Sequence, residues 1–355
     1  MVEPGVDAGI EAGEETERDA LRRAFLNKTG WATALPEPLA GDASFRRYMR
    51  LSLGNQNVML MDAPPELGED IRPFARVDRH LIDLELSAPE ILAEDAEHGF
   101  LLLEDFGDAT FTNLLAQGED EAELYALATD VLIALHAMED IRTAPDWLPP
   151  YDDERLLAET ALLPDWFMEA LGLTLTTAAR AAYDQAWLAL FQHVHAGPRT
   201  LVLRDYHVDN LMRLANHDDH DGRDGVRACG LLDFQDAVAG HPAYDLMSLL
   251  EDARRDIDPG LQAAMKDRYF DALNITDTDA FLTAYAILGA QRHAKVIGIF
   301  TRLDRRDGKP VYLEHIDRVW RLLEQNLAHP ALSDIRAWMD EHIPAPLRGA
   351  PEPAS

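Results

Sequence analysis

Two aspartates and an asparagine near the middle of the chain are residue types that could hold a metal ion and orient a hydroxyl group. Asp205 and Asn210 lie in LVLRDYHVDNLMRL, and Asp233 lies in GLLDFQDAVAGHPAY. Magnesium takes oxygen ligands, and proteins usually hold it through one or two carboxylates plus the oxygens of a bound phosphate. These residues therefore suit chemistry on a phosphate, although an Asp at a strand end is also an ordinary turn residue.

Phosphoryl transfer needs an aligned acceptor hydroxyl, a group that takes its proton and a metal that neutralises phosphate charge. Asp205 comes first in its loop, and we assign it as the base that positions the hydroxyl. Asn210 follows far enough along for the chain to turn back toward the same point. We therefore assign Asn210 and Asp233 as the metal ligands.

Two short apolar runs must position these side chains. Leu201–Leu203 leads into Asp205, and Gly230–Leu232 leads into Asp233. Each run has the length and composition of a buried strand that opens into a loop. We expect the two runs to be neighbouring strands of one hairpin, which would bring both acids to the same edge.

The chain before this centre is rich in strands. Gly41–Leu53 and Val58–Asp62 alternate apolar and polar residues around a Gly-Asn turn, which predicts a β-hairpin. Phe74–Leu86 has apolar residues at helical spacing. The apolar run that begins at Gly99 stops abruptly at Glu104, and we place a hinge between two lobes there.

Helical patterns dominate the rest of the chain, which predicts an α+β protein with a small β-rich N-terminal lobe and a larger, mainly helical C-terminal lobe. The predicted helices are Glu17–Leu26, Glu121–Met138, Tyr151–Gly172, Thr177–His195, Asp245–Ala253, Pro259–Leu273, Asp277–Phe300 and Leu313–Asn326. The predicted division is a disordered acidic tail at 1–15, a nucleotide-binding lobe at 16–104, a catalytic and substrate lobe at 105–343 and a flexible Pro-rich tail at 344–355.

Composition limits the class of partner. The chain has 355 residues, 47% of them hydrophobic, and it carries 32 Lys and Arg against 64 Asp and Glu, a net charge of −32. Because nucleic-acid binding depends on clustered basic residues, we expect no nucleic-acid partner and no anionic membrane surface. The N-terminal segment lacks the pattern of a signal peptide, and the single cysteine, Cys229, cannot form an intrachain disulfide. These features predict a cytoplasmic protein.

The spacing of Asp205 and Asn210 in LRDYHVDN, followed by LDFQDA, resembles the catalytic and metal-binding segments of the aminoglycoside phosphotransferase and protein-kinase-like superfamily. The LLEDFGD hinge and the AYDLMSLL helix start resemble the same superfamily. The resemblance covers roughly Gly41 to Tyr285. It implies a two-lobed protein-kinase-like fold that uses ATP and Mg²⁺.

Outlying segments resemble a narrower subgroup. GDASFRRYMRL, VMLMDAPPE, LLAETALLPDWF and RHAKVIGIFTRL are similar to bacterial anomeric sugar kinases that phosphorylate N-acetylmuramate and N-acetylglucosamine at the C1 hydroxyl in cell-wall recycling. An aminoglycoside or a choline-like alcohol is the alternative acceptor, since an acidic surface suits a cation. A nucleotide-binding pseudokinase is the third interpretation.

The resemblance also implies roles for individual residues. The backbone of Glu104 and Phe106 would face the adenine, and the loop Gly41–Phe45, which includes Ser44, would cover the phosphates. Asp245 would brace the catalytic loop, although an acid at a helix N-terminus is also favoured by the helix dipole.

The chain departs from the superfamily pattern at two positions. Leu203 stands where a supporting His usually opens the catalytic loop. The phosphate-holding lysine of the third strand is absent, and VMLMD offers Met59 or Met61 instead. Arg46 and Arg47 are the candidate replacements, because a guanidinium can contact phosphate oxygens through two N–H groups. Adjacent strand residues point to opposite faces, so at most one of the two should reach the nucleotide.

Five further residues are candidates for substrate contact. His207 lies between the base and a metal ligand, and it would touch substrate, assist the base or simply pack. Gln235 and Asp236 directly follow the metal acid. Arg292 belongs to a basic group that would be a solvated helix face, a set of ion pairs or a site for a carboxylate-bearing sugar. Glu159 would either pack within its helix or form a wall of the sugar pocket.

Overall fold

The computed structural model describes residues 16–39, 45–138, 140–214 and 223–354. These residues group into two compact units. The first contains the chain up to Arg72 together with Glu90–Asp105, and the second contains Pro73–Pro89 and the chain from Phe106 onward. The predicted disordered tail at 1–15 lies outside the described residues.

The segment Pro73–Pro89 differs from the prediction, which placed it in the first lobe. Its contacts explain the difference. The ring of Phe74 stacks on Phe234 with centroids 4.8 Å apart, and the Ser87 hydroxyl donates to the Arg227 carbonyl at 2.7 Å. These partners lie more than a hundred residues away, where local sequence patterns cannot reveal them.

Among the described residues, the first unit contains one antiparallel sheet in the order β1-β2-β3-β5-β4. Its strands are β1 Leu35–Pro38, β2 Arg47–Leu53, β3 Gln56–Asp62, β4 Ile91–Asp95 and β5 Phe100–Glu104. The predicted hairpin is present as β2 and β3. Its tight turn uses Gly54 with φ 62°, a left-handed conformation that glycine adopts without steric cost.

Helix α1, Glu17–Thr29, packs its apolar side on one face of this sheet. Phe25 of α1 stacks on Phe100 of β5 with ring centroids 5.6 Å apart. Arg18 forms an ion pair with the buried Asp62 at 2.6 Å. The shared core consists of Phe25, Met49, Leu51, Val58, Leu60, Phe100 and Leu102.

The second unit is mainly helical, and its helices agree with the predicted ones to within a few residues over most of the chain. Their bounds are α2 Arg72–Asp83, α3 Phe111–Ala116, α4 Glu121–His136, α5 Asp140–Thr143, α6 Asp153–Thr160, α7 Thr177–His195, α8 Ala243–Leu250, α9 Pro259–Leu273, α10 Thr278–Asp307, α11 Ile316–Leu327 and α12 Ser333–His342. The predicted helix Tyr151–Gly172 instead divides into α6 and a π-helical turn, Leu163–Met168. Pro164 explains the break, because proline lacks the N–H that an α-helix needs.

Helix α10 is the buried centre of this unit and packs against α6, α7, α8 and α11. Gly298 permits its close approach to the segment after α6. A Cβ atom at Gly298 would lie 2.3 Å from the backbone of Leu162, so a larger residue would force the two segments apart. This contact sets the distance between α10 and the end of α6, where Glu159 lies.

The two acid-bearing strands do not form one hairpin, so that prediction was wrong. Strand β6, Thr200–Val202, pairs with β9, Val238–Gly240, whereas β7, Leu211–Arg213, pairs with β8, Cys229–Leu231. Two-stranded sheets of three residues each have little local signature. Helix α4 packs against β8, so contacts with distant segments contribute to this pairing.

The C-terminal segment is also ordered, which corrects the predicted flexible tail over residues 344–354. Arg348 forms ion pairs with Asp340 at 2.6 Å and Glu324 at 3.2 Å. The Ala354 N–H donates to Asp304 on α10. In the part of the chain that the structure describes, no helix is long and apolar enough to cross a membrane.

Candidate active site

The loop after β6 carries Asp205 and is held by a buried aspartate. Asp245, in the first turn of α8, accepts hydrogen bonds from the backbone N–H groups of Leu203 at 2.7 Å and Arg204 at 2.9 Å. Arg204 adopts a left-handed conformation with φ 70°, which costs a residue with a side chain about 1–2 kcal/mol. The two hydrogen bonds stabilise this conformation and thereby set the direction of the chain at Asp205. The predicted bracing role of Asp245 is confirmed.

The carboxylate of Asp205 lies beside Arg292 of α10. Both terminal nitrogens of Arg292 are 3.4 Å from Asp205 Oδ1, and Nη1 also donates to the Arg204 carbonyl at 2.9 Å. Burial acts to raise the pKa of Asp205, but the charges of Arg292 and Lys295 hold it well below its usual range. Because 37% of the Asp205 side chain is exposed, an ionised carboxylate is presented to a ligand.

The backbone joins the two predicted metal ligands. The Leu232 N–H donates to the Asn210 carbonyl at 3.0 Å, next to the β7–β8 pairing, and this places Asp233 beside Asn210. Asn210 Nδ2 donates to the Asp205 carbonyl at 2.9 Å and lies 3.4 Å from Asp233 Oδ2. Gln235 Nε2 donates to Asp233 Oδ1 at 2.8 Å. Asp205, Asn210, Asp233 and Gln235 therefore form one connected group.

This donor set fits a magnesium ion. Because Asn210 Nδ2 is committed to the Asp205 carbonyl, Oδ1 is the Asn210 atom that can coordinate, and the Asp233 carboxylate lies beside it. Among the described residues there is no group of three or more His, Cys, Asp or Glu that could hold a metal. One carboxylate and one amide oxygen suit an ion that takes its other ligands from water and phosphate.

Glu159 is the centre of a buried polar network, rather than an open pocket wall. Gln291 Nε2 and Lys295 Nζ, one turn apart on α10, lie 2.7 and 3.1 Å from its carboxylate. Arg204 and the Tyr151 hydroxyl also donate to it. Burial acts to raise the pKa of Glu159, but Lys295 and Arg204 lower it to about 2. The ionised Glu159 thus holds the side chain of Arg204, which directly precedes Asp205.

His207 lies within the same loop and is buried. Its Nε2 is 3.3 Å from Arg254 Nη1 and 3.4 Å from Asn210 Nδ2. Burial lowers the pKa of His207, and the nearby Arg254 acts in the same direction. A neutral ring that accepts from Arg254 carries its proton on Nδ1, which lies 3.8 Å from Asp209 Oδ2.

The other predicted substrate residues differ in position. Arg292 is buried and held by Asp205, the Arg204 carbonyl and Tyr244, so the ion-pair interpretation of its basic group describes it best. Asp236 has an exposed side chain, and its carbonyl accepts from Arg204 Nη1 at 3.3 Å. The structure thus brings His207 and Gln235 to the predicted metal ligands, Asn210 and Asp233, and leaves the Asp236 carboxylate outside that group.

In the first unit, strand alternation separates the candidate cations. Met49 and Leu51 of β2 belong to the core under α1, so Arg47 is on that side of the strand and Arg50 is on the opposite face. Arg50 lies directly across from Met59 and forms a two-point ion pair with Asp105 at 2.6 and 3.0 Å. It is the cation beside the strand position where the superfamily lysine is missing.

Arg46 and the predicted nucleotide loop lie just before β2. Arg46 Nε donates to Glu69 Oε2 at 2.9 Å, and the Phe45 side chain is exposed. Gly41 and Ser44 lie outside the described residues. The Glu104 N–H donates to the Glu90 carbonyl at 2.8 Å, so an adenine contact at Glu104 would use its carbonyl oxygen.

Phe106 covers strand β8. A Cβ atom at Gly230 would lie 2.7 Å from the Phe106 ring, so only glycine fits beneath it. The predicted adenine contact at Phe106 concerns its backbone, whereas this packing involves its ring. The side chain therefore has a packing role of its own within the second unit.

Sequence reasoning missed two arginines. Arg254 contacts His207 and lies 3.6 Å from Asp209, and Arg50 shares a sheet face with Met59. Strand alternation applied to the whole of β2 would have indicated Arg50. Arg254 follows α8 within EDARRD and has no motif of its own, so only the fold identifies it.

Comparison with known proteins identifies the relatives of this chain. A family model described as the phosphotransferase enzyme family matches residues 36–282. The N-acetylmuramate/N-acetylglucosamine kinase of Caulobacter vibrioides is 37% identical over 364 residues, which cover 94% of this chain and 99% of that protein. The kinase of the same name from Pseudomonas aeruginosa is 37% identical over 318 residues, 86% of this chain and 89% of the relative.

Solved structures share the fold at low sequence identity. A choline kinase from Streptococcus pneumoniae has a TM-score of 0.59 with 12% identity, covering 87% of this chain and 100% of that one. The ADP-bound aminoglycoside phosphotransferase APH(2'')-Ib has a TM-score of 0.56 with 17% identity, covering 86% and 97%. These likenesses confirm the predicted two-lobed α+β kinase-like fold.

Proposed function

Because this chain belongs to the phosphotransferase enzyme family, we propose that it transfers the terminal phosphoryl group of ATP to the anomeric C1 hydroxyl of an N-acetylated amino sugar, N-acetylmuramate or N-acetylglucosamine. One observation carries the reaction type: Asp205, Asn210 and Asp233 form one hydrogen-bonded group. The identity to two kinases of such sugars along most of the chain supports the acceptor.

Asp205 is the group that orients the acceptor hydroxyl and takes its proton. Arg292 keeps its carboxylate ionised, and an ionised carboxylate accepts the hydroxyl hydrogen bond. A carboxylate with a depressed pKa is a weak base. Phosphoryl transfer through a loose transition state demands little proton removal before the new bond forms, and a hemiacetal hydroxyl is more acidic than an ordinary alcohol. Positioning is therefore the main contribution of Asp205.

Asn210 Oδ1 and the Asp233 carboxylate would hold the magnesium ion. The bound ion neutralises charge on the phosphates, as in other phosphoryl transfers. Gln235 donates to Asp233 Oδ1, so this oxygen faces the Gln235 amide and Oδ2 faces Asn210. These contacts orient the ligands before the ion arrives.

In the first unit we assign the phosphate contacts to arginine. Arg50 is on the face of β2 opposite α1, and Arg46 lies just before the strand beside Glu69, whereas Arg47 is on the side of α1. The backbone of Glu104 and Phe106 would bind the adenine, and the loop Gly41–Phe45 would lie over the phosphates. An arginine offers two parallel N–H groups to a phosphate, so it can replace a lysine there.

The test is a kinase assay with a product assignment. ATP and Mg²⁺ are incubated with N-acetylmuramate, N-acetylglucosamine, aminoglycosides and choline while ADP is followed. We expect ADP with the N-acetylated sugars, loss of the reducing end in the product, and no reaction with the methyl glycoside of N-acetylglucosamine, whose C1 oxygen is blocked. Phosphorylation of that glycoside would contradict the anomeric assignment.

A cationic acceptor is the second candidate, because the chain carries a net charge of −32. An aminoglycoside or a choline-like amine would be drawn to such a surface. ADP formation with these acceptors and with neither sugar would establish that alternative. Asp205→Ala should abolish turnover with any acceptor and retain nucleotide binding, and full activity in this variant would remove the central assignment.

A further inference from the structure

The basic side chains around the catalytic loop differ in how far they are buried and paired with acids. Arg204, Arg292 and Lys295 have side chains only 17, 8 and 8% exposed, and each is paired with Glu159 or Asp205. The Arg254 side chain is 34% exposed. It is the one basic side chain in this group, among the described residues, that presents a large part of its surface to solvent.

Arg254 is nevertheless held in place. Its backbone N–H donates to Asp252 Oδ1 at 2.8 Å, directly after helix α8. Nη1 lies 3.3 Å from His207 Nε2, and Nε lies 3.6 Å from Asp209 Oδ2, beyond hydrogen-bonding distance. The guanidinium is therefore directed toward the catalytic loop by its contact with the His207 ring, and it is only loosely paired with an acid.

This leaves N–H groups for a ligand. Among the described residues, the Arg254 side chain contacts His207 through Nη1 and Asp209 through Nε, and Nη2 forms no hydrogen bond. A guanidinium presents paired N–H groups in a plane and matches a carboxylate at two points. The Arg254 guanidinium can therefore bind one more anion beside His207.

The chemistry of the two sugars identifies that anion. N-acetylmuramate carries a lactyl carboxylate that N-acetylglucosamine lacks. A chain of net charge −32 repels an acidic substrate, so a local cation is needed to bind it. Arg292, the cation that the sequence indicated for this task, is already engaged by Asp205 and the Arg204 carbonyl.

We propose that Arg254, held by His207 beside the catalytic loop, binds the carboxylate of N-acetylmuramate and sets the preference between this sugar and N-acetylglucosamine. This inference rests on the proposed function. With the neutral sugar, the guanidinium remains with His207 and Asp209. With the acidic sugar, it turns Nη2 and Nη1 to the lactyl carboxylate. One site can thus accept both sugars without a change in its base or its metal ligands.

The test compares Arg254→Gln with Arg255→Gln. Arg255 is the neighbouring residue and has the same charge, but it forms its ion pair with Glu121 on α4 at 2.6 Å. Initial rates are measured with each sugar over a range of concentrations. For R254Q we expect kcat/KM for N-acetylmuramate to fall about 10- to 100-fold, mainly through KM, because a hydrogen bond to a charged group contributes that much to binding. The value for N-acetylglucosamine should change less than about threefold.

Matched measurements separate this role from a structural one. R255Q should leave the ratio of the two kcat/KM values unchanged, and R254K should recover part of the N-acetylmuramate activity because it restores charge without the planar fork. Melting temperatures of all three variants check folding. An unchanged KM for N-acetylglucosamine shows that the site of R254Q is still folded.

Three results would overturn the inference. Equal losses with both sugars would place Arg254 on the shared phosphate or metal. Unchanged kcat/KM values with both sugars would remove it from recognition, and an equal shift of the ratio in R255Q would show a general charge effect. The proposed function fails separately, on the unaltered protein. If that protein phosphorylates neither sugar, the proposed function and this inference are both wrong, whereas activity with an unaltered ratio in R254Q rejects the inference alone.

Discussion

Replacement of Glu159 by Gln retains the shape of the side chain and removes its negative charge. Lys295 and Arg204 would then face a neutral amide in place of their shared carboxylate. Their side chains are only 8 and 17% exposed, so water cannot replace the lost interaction. The variant therefore leaves two buried cations uncompensated, and we expect a large loss of stability.

Two arguments give the magnitude. The pKa of Glu159 falls from its ordinary 4.5 to about 2, which corresponds to about 3 kcal/mol at about 1.4 kcal/mol per tenfold change in proton affinity. Removing one partner of a buried ion pair costs about 3–5 kcal/mol. Because the folded-state pKa is depressed, this stabilisation is present above pH 4.5 and is lost as the pH falls through about 2.

The assay is urea unfolding followed by tryptophan fluorescence. We expect Glu159→Gln to lower the free energy of unfolding by about 3 kcal/mol at pH 7 and by about half as much at pH 3. Glu121→Gln is the control, because its ion pair with Arg255 is about one-third exposed and should contribute less than about 1 kcal/mol. A Glu159→Gln deficit no larger than that of the control, or one that is the same at both pH values, would refute the reasoning.

Three further predictions test other parts of the site. Asp245→Asn replaces one of two hydrogen-bond acceptors under the catalytic loop, so kcat should fall about 100-fold. The control is Asp304→Asn, which alters a buried acceptor of the Ala354 N–H and should lower the melting temperature while leaving kcat unchanged. Asp233→Asn should weaken Mn²⁺ binding, followed by electron paramagnetic resonance, by about tenfold or more, with the exposed Asp236→Asn as the unaffected control. Arg46→Gln and Arg50→Gln should raise the KM for ATP at saturating sugar whereas Arg47→Gln should not, and equal effects of all three would contradict the assignment of strand faces.

Features decided within a few residues could be predicted from the sequence. Helix α9 begins and ends where the pattern placed it, because Asp258 caps its N-terminus and Asn274 adopts the left-handed conformation that ends it. The hairpin of β2 and β3 was equally local. The closeness of Asp205 and Asn210 also follows from their short spacing, since both lie in one loop.

Features that depend on distant partners could not be predicted in this way. Arg292 follows Asp205 by 87 residues and reaches it because Gly298 lets α10 pack closely after α6. The predicted single hairpin was wrong because β6 and β8 each found another partner. The C-terminal segment contains many prolines, yet Arg348 and Ala354 attach it to acids on three helices.

The sequence by itself therefore indicated the reaction type, through Asp205 and Asn210 in one loop and Asp233 after a later strand, and its motifs indicated the family. Only the tertiary structure decided which cations are buried in ion pairs and which one remains partly exposed to solvent. Arg292 and Lys295 look equivalent to Arg254 in the sequence, but burial and ion pairing commit the first two to Asp205 and Glu159. The physical reason is that burial and charge compensation depend on the whole surroundings of a side chain, which are assembled from segments far apart in the chain.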